Sequence, residues 1–414
     1  MATTVQRRVV SAGPAHRRWP VVGVLVLALL LLAGLRRVTT EGTPALIVRR
    51  TLPAYVRLPG SAPVLAWPEE GQAAVEVEGV GDLGVSGSSV SVPIASVAKV
   101  MTAYLTLREH PLVAGREGFS VTITPADAAE EEQREALGES TLNVRAGERL
   151  SERQALEALL LPSANNIAAL LARYDAGAIA QFVARMNTTA RMLGMVSSRY
   201  TDPSGFNDET VSTAADQLKL ARAAMHIPTF AEIVDEPSVV LPVVGRVANY
   251  NGLVGEDGYV GIKTGSDRAA GGCLVFAKKV LIDGRALTVL GVVLSQRGGS
   301  LIEAALASAR QLGDSAAASL GLRTALPAGT AVLSASSVDG RGTTAVTASA
   351  LREVGWGGQR VAVHMVAHPA MTRLKAGEQM ASVIVPGVSV ASTNALARSS
   401  VGRPSLGWRL RHLF

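Results

Sequence analysis

Three short groupings in this chain carry the residue types and spacing that nucleophilic chemistry requires. The first is Ser96-Val97-Ala98-Lys99. A serine hydroxyl attacks well only when a base takes its proton. Helical residues three apart share a face, so Lys99 can reach Ser96. Lysine serves as a base where burial or a nearby cation lowers its pKa; arginine stays protonated and could not. The chain holds only six lysines against 34 arginines, and this is its one Ser-x-x-Lys. A lysine at that point of an apolar helix is therefore set there for its chemistry.

The second grouping, Ser163-Ala164-Asn165, falls in the turn between two predicted helices, where a hydroxyl and an amide can face one cleft. It is weak alone: Ser392-Thr393-Asn394 has the same pattern, and Ser and Asn suit turns for local reasons. The third, Lys263-Thr264-Gly265, ends a predicted strand. Lys263 and Thr264 offer a cation and a hydroxyl to a carboxylate, and Gly265 lets a ligand or another backbone come close. Order and spacing make the set specific: 67 residues separate Ser96 from Ser163, and 100 separate Ser163 from Lys263. This ordered trio marks penicillin-binding proteins and class A β-lactamases.

The elements that must position these groups are legible in outline. Pro93 introduces a helix over Ser96–Leu107. Ser151 and Gln154 form a capping box before ALEALLL, and Pro162 ends that helix. NNIAALLARY, Gly177–Leu193 and Thr213–Met225 continue a helical middle. The pattern changes at Tyr259: GYVGIKTG, CLVFAKKV and ALTVLGVVLSQ read as consecutive strands, the last two joined by an Asp283-Gly284 turn. Ser300 and Glu303 read as a second capping box, opening a helix to about Leu320. From Ala62 to Val92, short Val-rich alternations read as strands and hairpins.

Beyond the motifs, the blocks PIASVAKVMTAYL, GESTLNVRAGERLS, LLLPSANNIAALLA, FVARMNTTARMLGM, YTDPSGFND, STAADQLKLA and GYVGIKTGSDRAAGGCLVFA follow in an order that resembles the low-molecular-mass D-alanyl-D-alanine carboxypeptidases of the penicillin-binding superfamily. The resemblance runs over roughly residues 60–320. It implies an α/β penicillin-binding/serine β-lactamase-like transpeptidase fold, an antiparallel sheet flanked by helices plus a helical lobe, followed by a small all-β domain. It implies Ser96 as acyl nucleophile and Lys99 as its base, with Ser163 and Asn165 relaying protons and orienting substrate. Lys263 and Thr264 would hold the terminal carboxylate, and the backbone N–H groups of Ser96 and the region of Ser266 would form the oxyanion hole. Peptidoglycan stem peptides are the implied substrate and β-lactams the implied covalent inhibitors, with no cofactor. Two departures, Ser266-Asp267 after Lys-Thr-Gly and Ala164 inside Ser-x-Asn, bear on fine specificity. A class A β-lactamase would need a glutamate soon after Asn165, and none occurs before Glu209. A DD-endopeptidase and a catalytically silent wall-binding scaffold remain as alternatives; the intact motifs argue against the scaffold.

Composition narrows the rest. The formal net charge is +6, and Arg7, Arg8, Arg17, Arg18, Arg36 and Arg37, all before the first acid Glu41, account for it. The body is close to neutral, so a nucleic-acid partner is not expected. Residues 1–18 read as a basic cytoplasmic tail and 19–35 as an uncleaved signal anchor. This apolar run is at the short end of the spanning range and is flanked by more arginine before than after. The body is then exported, a single-pass protein with its catalytic domain outside. Residues 36–60 read as a linker, 61–322 as the catalytic domain, 325–393 as the β domain and 394–414 as a basic tail. In that tail, Leu406, Leu410, Leu413 and Phe414 could share a helical face. The single cysteine, Cys273, permits no intramolecular disulfide and reads as a small buried hydrophobe. The six histidines show no metal-binding spacing.

Overall fold

The computed structural model of the chain describes residues 19–40, 44–113, 115–369 and 371–411. The expected tail over 1–18, with its four arginines, and the residues Leu413 and Phe414 lie outside these. At the centre is a five-stranded antiparallel sheet: β1 (Gln72–Val77), β2 (Gly81–Gly87), β3 (Tyr259–Asp267), β4 (Gly271–Ile282) and β5 (Arg285–Gln296), in the order β3-β4-β5-β1-β2. The turn between β4 and β5 is the expected Asp283-Gly284 pair, both residues at positive φ, with Ile282 opposite Arg285. That geometry suits the twist of a two-residue hairpin.

Side chains alternate across this sheet as the period of two demands. Cys273, Val275 and Ala277 enter the core shared with the helical lobe, whereas Leu274 and Phe276 enter the core on the opposite face. Ten helices are described: α1 (Trp19–Thr40), α2 (Lys99–Glu109), α3 (Pro125–Ala136), α4 (Glu152–Leu160), α5 (Asn165–Ala176), α6 (Ile179–Met192), α7 (Ala214–Met225), α8 (Pro228–Val234), α9 (Leu301–Ser319) and α10 (Leu406–Arg411). Helices α2 and α4–α8 contribute to the first core, and α9 packs Ala305, Ala309 and Leu312 into the second.

The helix starts follow local chemistry. Ser151 and Gln154 form a reciprocal capping box on α4, and Thr124 with Asp127 forms another on α3. Ser300 caps α9 by accepting from the Glu303 N–H. The nucleophile helix begins as a 3-10 turn, Ala95–Ala98, before α2. Strands and a hairpin were expected throughout 62–92, but they are confined to β1, β2 and the two-residue strand Val92–Pro93. Helices α3 and α8 and the hairpin Ser238–Leu241/Gly245–Ala248 were not anticipated.

The expected linker over 36–60 is corrected. Ile47–Arg50 pairs with Ala331–Ser336, and Tyr55–Arg57 pairs with Arg360–Ala362. Leu46 and Leu58 are buried in the core of the β domain. The first strand lies at a sheet edge with all four residues exposed, so it carries no alternating pattern, and its partner lies far along the chain. The β domain also extends past 393. Its last strand is Ala391–Ala397, and Val401 bridges to Leu374. The expected basic tail is therefore partly sheet, because Ala395, Ala397 and Val401 fill buried positions that charge counting ignores.

Among the described residues no single helix is long and apolar enough to cross a membrane; the apolar part of α1 is Val21–Gly34. The pair α5–α6, apolar enough together, is bent by 86° and supplies core to the helical lobe.

Candidate active site

Four segments converge on Ser96: the 3-10 turn, the α4–α5 turn, the 202–207 loop and strand β3. Ala95, just before the nucleophile, has φ 45°, and Ser163 has φ 68°. Both are non-glycine residues in the left-handed region, a strain that surrounding structure must hold and that concentrates at functional sites. Strand β3 passes so close that a Cβ on Gly265 would lie 2.9 Å from the Ser96 nitrogen and 3.0 Å from that of Val97. Only glycine permits that approach.

Lys99 is fully buried. Its Nζ is 2.8 Å from Ser96 Oγ, 2.6 Å from Asn165 Oδ1 and 3.1 Å from the Ser204 carbonyl oxygen. Burial above all, then the charge of Lys263, holds its pKa well below the usual lysine range, against the opposing pull of Asp202 and Glu139. A neutral amine has two N–H donors and one lone pair. With the two donors on the Asn165 and Ser204 oxygens, the lone pair is left to receive the Ser96 proton. The arrangement can activate a serine without histidine.

Lys263 is also buried, donates to the Thr264 carbonyl at 3.0 Å, and is lowered to about 7 by desolvation. Thr264 and Gly265 are buried beside it, whereas Ser266 is exposed at the end of β3. Ser163 is buried two residues before the start of α5. Thus Ser96, Lys99, Asn165 and Gly265 meet through contacts of their own atoms, and Lys263 reaches Lys99 through its charge. Cys273 is buried in β4, and burial pushes its thiol up to about 12, far from reactive.

Two parts of the site escaped the sequence reading. The loop Asp202–Asn207 carries the Ser204 carbonyl that binds Lys99. Asp202 accepts from the Ser204 N–H at 2.7 Å, the Gly205 N–H at 2.6 Å and Thr210 Oγ1 at 3.0 Å. Burial would raise its pKa, but hydrogen bonds from Ser204, Asn207 and Thr210 prevail and hold it below the usual range. The Asp-Pro-Ser-Gly string is a turn signal from which this brace could have been suspected. The other part is Glu139, whose Oε2 accepts from Asn165 Nδ2 at 2.7 Å.

Fold and site together define a serine acyl-transfer protein of the penicillin-binding kind. A family model described as D-alanyl-D-alanine carboxypeptidase matches residues 85–296, and the chain belongs to that family. It is 33% identical over 224 residues to the D-alanyl-D-alanine carboxypeptidase DacB2 of Mycobacterium tuberculosis, covering 52% of this chain and 72% of that one. It is 31% identical over 194 residues to the D-alanyl-D-alanine endopeptidase of Escherichia coli, covering 44% of this chain and 58% of that one. This match spans little more than half of the endopeptidase. The crystal structure of the D-alanyl-D-alanine carboxypeptidase DacD from Francisella tularensis shares the fold, with TM-score 0.58 at 21% identity, covering 83% of this chain and 96% of that one.

Proposed function

We propose that this chain is a serine-type D-Ala-D-Ala carboxypeptidase that trims the terminal D-alanine from peptidoglycan stem peptides through an acyl-enzyme on Ser96. The observation that carries the reading is the triple contact of Lys99 Nζ with Ser96 Oγ, Asn165 Oδ1 and the Ser204 oxygen. Ser96 Oγ attacks the penultimate D-Ala carbonyl carbon while its proton passes to Lys99 Nζ. The tetrahedral oxyanion lies between the N–H groups of Ser96 and Ser266. The C–N bond breaks, and the leaving D-Ala nitrogen takes a proton relayed from Lys99 through the Ser163 hydroxyl. Water then attacks the ester carbonyl and gives a proton to Lys99; the C–Oγ bond breaks, and Lys99 returns that proton to Ser96 Oγ.

Lys263 and Thr264 would receive the carboxylate of the terminal D-Ala. Strand β3 is an edge of the sheet, so an extended peptide can lie along it by strand addition. β-Lactams would acylate Ser96 and act as covalent inhibitors.

The N-terminal helix is read as a membrane anchor, N-terminus inside, with the catalytic domain outside the cell. Supporting this, Val21 to Leu32 of α1 expose their large apolar side chains, Leu30 at 64% and Leu31 at 66%, and such a stretch calls for lipid or protein cover. A second reading, DD-endopeptidase, draws on the Escherichia coli relative of that name. The test is D-alanine release from a synthetic acyl-D-Ala-D-Ala peptide beside cleavage of a cross-linked stem-peptide dimer, with Ser96→Ala as control. Release from the first supports the carboxypeptidase; cleavage of the dimer alone favours the endopeptidase; neither activity in folded protein overturns both.

A further inference from the structure

Glu139 lies outside the three motifs yet touches the centre of the site. Its side chain is only 4% exposed, and Arg134 Nη1 binds its two oxygens at 3.1 and 2.9 Å. Arg134 is itself held by Glu130, through Nε at 2.9 Å and Nη2 at 2.7 Å. The segment carrying Glu139 is clamped on α5: the Asn165 N–H donates to the Ser140 carbonyl at 2.7 Å. The Asn166 side chain binds both the N–H and the carbonyl of Leu142, each at 2.9 Å. Thr141 Oγ1 adds a bond to Glu131 at 2.9 Å.

We propose that Glu139 is a positioning residue for acylation: its carboxylate fixes the Asn165 amide with Oδ1 turned to Lys99, so that the Lys99 lone pair is left for Ser96. The inference rests on the acyl-serine reading above. An ionised carboxylate only accepts hydrogen bonds, so the nitrogen end of the Asn165 amide must face Glu139. The oxygen end then meets Lys99 Nζ at 2.6 Å. A flipped amide would set its carbonyl against the carboxylate and its N–H groups against the lysine hydrogens, two repulsive contacts in a desolvated place. One Asn165 N–H is occupied by Glu139, and the second is left for a substrate carbonyl. The charge of Glu139 also raises the proton affinity of Lys99, against burial and Lys263.

The test is the second-order rate of Ser96 acylation by a fluorescent penicillin from acidic to alkaline pH, for the full-length wild type, Glu139→Gln and Glu139→Ala. In Glu139→Gln one oxygen can still accept, but the charge is lost and an NH2 replaces the other oxygen. That NH2 stands against a donor of Arg134 or Asn165, so the hold on the Asn165 amide is weakened. Glu139→Gln is expected to keep its melting temperature within a few degrees and to lose roughly tenfold or more in plateau rate, the worth of a hydrogen bond to a charged group. Its acid limb should move to lower pH, because Lys99 loses a neighbouring anion. Should the alanine variant misfold, the near-isosteric glutamine variant carries the test. A folded Glu139→Gln with the wild-type rate and limb overturns the proposal. So does a lower plateau with an unmoved limb, which would reduce Glu139 to a structural brace. A wild type that is not acylated at all overturns the acyl-serine reading itself, and this proposal with it.

Discussion

In the proposed reaction, Lys99 and Lys263 make opposite demands on pH. Lys99 must be neutral to accept the Ser96 proton, and burial followed by the charge of Lys263 lowers its pKa well below the usual range. Lys263 must be charged to draw a carboxylate, and burial lowers it to about 7. For a carboxylate substrate, kcat/KM should therefore rise as Lys99 deprotonates and fall as pH passes above about 7, where the free enzyme loses the Lys263 charge. The basic limb of kcat should lie at higher pH, since a bound carboxylate stabilises the ammonium; a pH-rate series on an acyl-D-Ala-D-Ala peptide reads both. The same shift bears on stability. Between the ordinary value of 10.5 and about 7 the unfolded lysine is protonated while the folded one is not. Stability therefore falls as pH drops through that window and the loss levels off below it. Lys263→Met should accordingly raise Tm at pH 7.5 by a few degrees while removing peptidase activity, as calorimetry and an activity assay would show. Much at this scale was legible in the sequence, because a serine and a lysine three apart on a helix are a local pattern. Asp202 and Glu139 were not, since their roles come from loops folded against partners such as Asn165, and no spacing rule links them.

At the scale of elements, the site depends on segments that approach closer than a side chain allows. Gly205 has φ +78°, and a Cβ there would lie 1.8 Å from the Ala95 carbonyl oxygen and 2.9 Å from the Ala98 Cβ. Gly205→Ala should cost about 1–3 kcal/mol in stability. It should also slow acylation by penicillin at least roughly tenfold, because it pushes the Ser204 carbonyl from Lys99; denaturant melts and acylation rates check the two. The strands from Tyr259 onward and their Asp283-Gly284 turn could be read directly, since long alternating runs and a two-residue turn are strong signals. The hairpin at 238–248 could not. It is short, carries an exposed Val240, and borrows its packing from the helical lobe.

The whole molecule is tied together more closely than a catalytic body with a linker and a trailing domain. The segment around 46–58, just after α1, completes the β domain with two strands and two buried leucines. The β domain in turn adds Val354 and Trp356 to the core beneath the catalytic sheet. A chain beginning at Ala62 should therefore be less stable than one beginning at Pro44, by roughly 1.5–3 kcal/mol for each leucine removed. Limited proteolysis should cut it first within 331–362, where the partner strands are uncovered. Composition hid this, because edge strands of three or four residues leave no periodic trace and their partners lie hundreds of residues away. The central claim, an acyl-enzyme on Ser96, is tested most directly by intact-mass spectrometry after mixing the protein with a penicillin, beside Ser96→Ala. The account predicts a stable adduct of the drug's full mass on the wild type and none on the variant. An unmodified, folded wild type, or an adduct that persists in Ser96→Ala, would contradict it.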